Sequence, residues 1–228
     1  MITNKKTFSI GLIMMVAFIA VLVIIFMPVF NGQNGLDYLD SLYNSISKGS
    51  AYYIPNLKEE VRPFDGKAVD INLTMKGAEQ AQQTALMLQK AGVTAEANGE
   101  KVKVSGDMGQ ILSGILEDSD AMYYNDDHKV VDKYGLEGRQ VLFNWWTALN
   151  AMEKDLNHQK KFKEAKMAAT VGKKAVETSY NYYEIEPQKI SDKYGIVIFS
   201  LIFYVVYTLW YGFGIMYMFE GWGMRMEH

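Results

Sequence analysis

Two long runs without a single charged residue, 8–30 and 195–219, stand near the two ends of the chain, and a more polar stretch with short apolar periods lies between them. At about 1.5 Å per helical residue, each run is long enough to cross a hydrocarbon core of about 30 Å. Both are predicted to span a membrane. The first is aliphatic on every face and is expected to meet lipid all round. It is longer than the roughly 7–15 apolar residues of a cleaved signal and no A-x-A site follows, so it reads as an uncleaved anchor. The second carries Tyr194 at its start and Trp210, Tyr211, Tyr217 and Trp222 toward its end, as interfacial aromatic belts do.

Leu36, Leu39, Tyr43 and Ile46 recur at helical spacing and predict a short amphipathic helix just after the first span. Residues 51–65 contain Pro55 and Pro63 without a steady period, which predicts an irregular linker. From residue 68 the period becomes two: Val69, Ile71, Leu73 and Met75 alternate with polar residues, the mark of a half-buried strand. Ala78, Ala81, Ala85 and Leu88 then share a helical face that Gly92 closes. The dipeptide Asn98-Gly99 between alternating segments predicts a hairpin with a two-residue turn, Glu96 opposite Lys101 and Ala95 opposite Val102. Asp107 can cap a helix whose apolar face uses Met108, Ile111, Leu112, Ile115 and Leu116.

The resulting order, β-α-β-β-α over residues 66–122, resembles small modules of envelope proteins, among them the ring-building domains of secretion and flagellar base proteins. That resemblance rests on element order and assigns no family. Further along, Leu142, Trp145, Leu149, Met152 and Leu156 form a helical seam, and Phe162, Ala165, Ala169, Gly172, Val176 and Tyr183 continue in shifted phase. Because the break near residues 158–161 lacks Gly and Pro, one long kinked helix is favoured over a helical hairpin.

The fold class expected is therefore α+β, with two transmembrane helices flanking an extracytoplasmic domain that holds the small module and a long helical segment. Its divisions are a cytoplasmic tail (1–7), a transmembrane helix (8–30), a juxtamembrane helix and linker (31–65), the α+β module (66–122), an acidic loop with the long helical segment (123–194), a second transmembrane helix (195–219) and a cytoplasmic tail (220–228). Lys5 and Lys6 precede the first span and the next basic residue is Lys48, so the positive-inside rule places both termini in the cytoplasm of a cell, or inner, membrane and residues 31–194 outside it. Lys189 and Lys193 before the second span, against Arg225 after it, weigh the other way; the first helix usually dominates.

Composition removes whole classes of chemistry. A net charge of -3 gives no basic excess for nucleic acid. The absence of cysteine excludes disulfides, thiolate metal sites and Cys nucleophiles, and leaves His128, His158 and His228 for imidazole chemistry. No G-x-S-x-G, H-E-x-x-H, Walker or dinucleotide motif occurs, so catalysis is not the favoured reading and no cofactor is expected.

Three features remain. Tyr204, Tyr207, Thr208 and Tyr211 share a helical face in mid-span, where an unpaired hydroxyl is costly; with Gly212 and Gly214 beside them they predict contact with protein. Trp145 and Trp146 are adjacent, so one is expected in the core and the other at an interface; sugar or cofactor stacking is the rival reading. Residues 117–137 hold seven acids against two bases, whose members Asp118, Asp120, Asp126, Asp127 and His128 can ligate a hard cation, although a solvated acidic loop is the blander expectation. Residues 154–174 hold seven lysines against two acids, able to pair with that block or with anionic lipid. The expectation is a non-catalytic accessory or scaffolding subunit of a membrane complex, its partner an integral membrane protein or a second copy within the lipid bilayer. An extracytoplasmic ligand or metal sensor and a membrane-anchored hydrolase are the alternatives.

Overall fold

The structure is a computed structural model that describes residues 2–30 and 32–224. Asn31 of the expected turn, and Arg225 and His228 of the expected C-terminal tail, lie outside the described residues. In chain order the elements are α1 (Lys5–Phe26), α2 (Gly35–Ser50), α3 (Ile54–Val61), β1 (Ala68–Thr74), α4 (Ala78–Lys90), β2 (Thr94–Asn98), β3 (Lys101–Asp107), α5 (Met108–Tyr123), α6 (Asp127–Tyr134), α7 (Gly138–His158), α8 (Phe162–Val171), α9 (Thr178–Tyr182) and α10 (Ile190–Trp222). They form two units: Met1–Gly49 with Pro187–His228, and Ser50–Glu186.

In the first unit, α1 and α10 are long and apolar enough to cross a membrane. They run antiparallel: the amides of Thr3 and Asn4 each donate to the Gly221 carbonyl at 2.9 Å, which sets the start of α1 at the end of α10. Asn4 caps α1 by accepting from the Thr7 amide. The helix stops at Phe26, short of the predicted residue 30, because Pro28 drives Met27 into extended backbone. At the other end of the chain, α10 outruns residues 195–219 on both sides. Lipid does not surround α1 on every face. Gly11 is buried against α10, where a Cβ would come within 2.8 Å of the Gly214 carbonyl, and Phe18 stacks on Tyr207 at 4.2 Å. Met14 and Met15 lie over Gly214, so small residues bring the backbones together as membrane helix pairs require.

The second unit is mixed α+β around a three-stranded antiparallel sheet of order β1-β3-β2. Strand β1 alternates exposed and buried residues throughout, as predicted, with Val69, Ile71 and Leu73 inward. Asp107 caps α5 by accepting from the Gly109 amide at 2.8 Å. The hairpin register differs by two residues from the expectation. Asn98 pairs with Lys101 and Glu96 with Lys103, so the two-residue loop is Gly99-Glu100. Gly99 takes φ +59° at the first loop position while Glu100 stays out of the left-handed region, which suits a type II′ rather than a type I′ turn. A shift of two keeps each side chain on its face, so the predicted core positions survive.

Three expected elements are corrected. The linker at 51–65 is mostly helical: Ile54, Leu57, Val61 and Phe64 are buried at 3-4-3 spacing, and Pro55 sits in the first turn of α3, where no amide is missed. Most of the acidic loop is also helical, since Glu117, Asp118 and Asp120 belong to α5 and residues 127–134 form α6. Finally, the helical segment turns back on itself. Lys160 adopts φ +59° after α7, and α8 packs on that helix, with Gly172 beside Leu149 and Ala165 and Ala168 buried in the same core as Met152 and Leu156. A left-handed non-glycine residue is uncommon, and no Gly or Asn at this position signals it. Between α8 and α9 the chain makes a π-helical turn, Gly172–Glu177.

Candidate functional site

Helix α10 separates the residues predicted to share one face into two stripes. Consecutive helical residues differ by about 100°, so Tyr207 and Thr208 point apart. Tyr207, Tyr211 and Gly214 turn toward α1: Tyr207 and Tyr211 lie on Phe18 with ring centroids 4.2 and 5.1 Å away, and Gly214 receives Met15. Tyr204, Thr208 and Gly212, four apart, form an open stripe. Tyr204 is 69% exposed, and a Cβ on Gly212 would meet nothing within 4 Å. The Thr208 hydroxyl is satisfied locally, donating to the Tyr204 carbonyl at 2.7 Å.

Residues of both stripes, Tyr204, Tyr207 and Thr208, join Leu36, Leu39 and Phe203 in lining a half-open apolar cavity of about 880 Å³ framed by α1, α2 and α10. Tyr43 ties α2 to α10 through a 2.6 Å hydrogen bond with Ser200, a lining residue. The Tyr207 hydroxyl is closed off from solvent and has no hydrogen-bond partner among the described residues. Leaving such a group unpaired in hydrocarbon costs several kcal/mol, as an order of magnitude. The helical pair on its own therefore carries an unmet polar group in the wall of a large apolar cavity.

In the other unit the acidic residues are distributed among separate donors. Asp118, 4% exposed, accepts from Trp145 Nε1 at 2.8 Å, the Tyr134 hydroxyl at 2.7 Å and Lys133 Nζ at 2.8 Å. Asp120 accepts from the Tyr52 hydroxyl at 2.6 Å and Lys58 at 2.8 Å. Asp126 pairs with Lys129, and Asp127 accepts from the Tyr183 hydroxyl at 2.9 Å. Among the described residues no three His, Cys, Asp or Glu side chains gather as a metal-holding group, and His128 joins none of these pairs. Burial, reinforced by Asp118, holds the Tyr134 phenol well above its usual range, and burial with the Asp120 hydrogen bond does the same for Tyr52. Burial and the Asp127 hydrogen bond push Tyr183 up to about 12.

The role of Asp118 escaped the sequence reading although a signal was present. Ile111, Ile115, Asp118 and Met122 run at 4-3-4 spacing, which places the carboxylate on the buried face of α5. Trp145 is fully buried, as expected of the core member, and so offers nothing to a partner; Trp146 is 38% exposed. Phe143 and Trp146, three apart on α7, stack at 6.2 Å and wall a cavity of about 300 Å³ floored by Leu142 and Val176 and rimmed by Glu177 and Tyr180.

These features define a class only broadly: a chain with two helices able to cross a membrane and a mixed α+β unit between them. No family model, curated protein or solved structure matches it.

Proposed function

We propose that the chain is a non-catalytic accessory or scaffolding subunit of a membrane protein complex, which docks through α10 on a partner's transmembrane helix and carries the α+β unit outside the cytoplasm. One observation carries the reading: the Tyr207 hydroxyl lies unpaired in the wall of an apolar cavity between α1, α2 and α10. Water does not serve such a group inside a bilayer, so a polar group from a neighbouring helix is its natural complement. The open stripe of Tyr204, Thr208 and Gly212 supports the same reading, because a glycine with free space around it admits close backbone approach. The topology, with both termini in the cytoplasm of a cell membrane, rests on Lys5 and Lys6.

The test is purification of the full chain in mild detergent. A stoichiometric integral membrane partner, or a homo-oligomer, is expected, and Gly212→Leu should release it while the chain stays folded, since a Cβ there meets nothing within 4 Å in the chain itself. A monomer from the start, with stability unchanged in Tyr204→Phe and Tyr207→Phe, would overturn the proposal.

A further inference from the structure

The cavity beside Trp146 is a ligand-sized site built from residues with one chemistry in common. At about 300 Å³ it lies at the small end of ligand pockets, below the needs of a dinucleotide or haem and enough for a compact group. Phe143, Trp146 and Tyr180 supply three aromatic rings, Leu142 and Val176 a fully buried apolar floor, and Glu177 a carboxylate. Aromatic faces carry negative potential, and with a carboxylate beside them they favour a cation with an apolar skin over a neutral or anionic guest.

Two further observations point the same way. The rings already hold one cation: Lys76 Nζ stands 4.9 Å from the Phe143 centroid and 6.0 Å from that of Trp146. Glu177, by contrast, makes no ion pair among the described residues. The site is also assembled by an unusual backbone. Val176 and Glu177 end the π-helical turn Gly172–Glu177, a conformation that is rare and concentrated at functional sites. Its wider turn buries Ala175 and Val176 while Glu177 and Tyr180 remain outward, at the cavity. A solvated helix face needs none of this.

We propose that this cavity binds a small organic cation of the quaternary ammonium class, held over the Trp146 and Tyr180 rings with Glu177 as counter-ion. The inference stands apart from the proposed docking of α10, since it concerns the other unit and a different ligand. Among the described residues Lys76 is the positive group placed on the Phe143 and Trp146 rings, and it opposes a second cation on them.

The experiment is calorimetric titration of the full chain, in a detergent without a choline headgroup, with tetramethylammonium chloride at constant ionic strength. Choline and its neutral carbon isostere, 3,3-dimethylbutan-1-ol, are titrated in parallel. Saturable binding of both cations is expected, with the isostere at least about tenfold weaker. Trp146→Ala and Glu177→Gln should each weaken the cations about tenfold or more. Lys76→Met should tighten them, an effect that a merely apolar pocket would not produce. Equal binding of the isostere, no change on Glu177→Gln, or no saturable binding of either cation overturns the proposal. Circular dichroism and the retained Trp145 environment in Trp146→Ala distinguish a lost site from a lost fold.

Discussion

The two units differ in how they meet their most telling buried polar group. In Ser50–Glu186 the most deeply buried carboxylate, Asp118, receives three donors from α6 and α7, so a charge placed in the core is met at once by the elements that pack around it. In the unit of α1, α2 and α10, the Tyr207 hydroxyl meets none. The contrast is one of degree, because Thr84 and Ser119 in the α+β unit also bury hydroxyls without partners. It is nevertheless instructive. For a group that water could serve in the unfolded chain, burial is costly in proportion to its charge, so a carboxylate such as Asp118 needs its donors far more than the Thr84 or Ser119 hydroxyl does. A helical pair within a bilayer would have no water as competitor, so an unmet hydroxyl there keeps its full cost until a polar group reaches it.

The sharpest way to break this comparison is Asp118→Ala. It strands the Trp145 N–H and the Tyr134 hydroxyl in a core where the tryptophan is fully buried, whereas Lys133, with 29% of its side chain exposed, can turn outward. Removing one member of such a buried network costs about 3–5 kcal/mol. Urea unfolding followed by far-ultraviolet circular dichroism should show the loss, and Asp118→Asn should recover part of it. A change below about 1 kcal/mol would mean that α5, α6 and α7 are held by packing alone.

A smaller effect is expected at the contact between α1 and α10. Gly11→Val forces a side chain onto the Gly214 carbonyl and the Met218 amide, backbone atoms that cannot turn aside. Overpacking of this kind costs about 1–3 kcal/mol. The same substitution at Gly212, which has free space, should leave the pair intact, so unfolding of both variants in mixed micelles separates the inner stripe of α10 from the outer one. Equal losses would show that the two stripes are not distinct.

How much of this was legible beforehand follows from which interactions are local. Strand β1, helix α4 and the capped start of α5 depend on period and on a cap within three residues, and the sequence carries both. Helix α3 was hidden by reading Pro55 as a breaker, when a proline in the first turn is tolerated and Ile54, Leu57 and Val61 keep the helical spacing. The α7–α8 reversal was illegible for a different reason. It rests on Lys160 in a left-handed conformation that propensity does not favour and that packing of Leu149 against Gly172 imposes. The same limit applies at α10: spacing placed four residues on one face, but only the position of Phe18 reveals which of them α1 covers.

Alkaline pH tests the α+β unit without mutation. The Tyr134 phenol is held above its ordinary value of 10, so folding favours its protonated form. Below about pH 10 the unfolded phenol is protonated too, and the full contribution is present; above it the unfolded chain ionises first and stability drains away. The expected slope for this buried phenol approaches about 1.4 kcal/mol per pH unit, and Tyr52, more open to solvent and therefore more screened, adds in the same direction but less. Tyr134→Phe should flatten part of that slope between about pH 10 and 11. An unchanged slope would place the network's contribution elsewhere than on Asp118 and Tyr134.

The smallest effect carries the most specific sign. Tyr207→Phe removes a hydroxyl that has no partner in the isolated chain while keeping the ring on Phe18, so the helical pair alone should gain up to about 1 kcal/mol. If α10 docks as proposed and a partner's polar group meets Tyr207, the same variant should lower retention of that partner instead, by an amount near 0.6 kcal/mol as an order of magnitude. Stability of the purified chain in mixed micelles and partner recovery from the membrane thus move in opposite directions. If both fall, the hydroxyl has an acceptor within this chain. If both rise, nothing outside the chain uses it, and the docking face must be sought on the stripe of Tyr204, Thr208 and Gly212 alone.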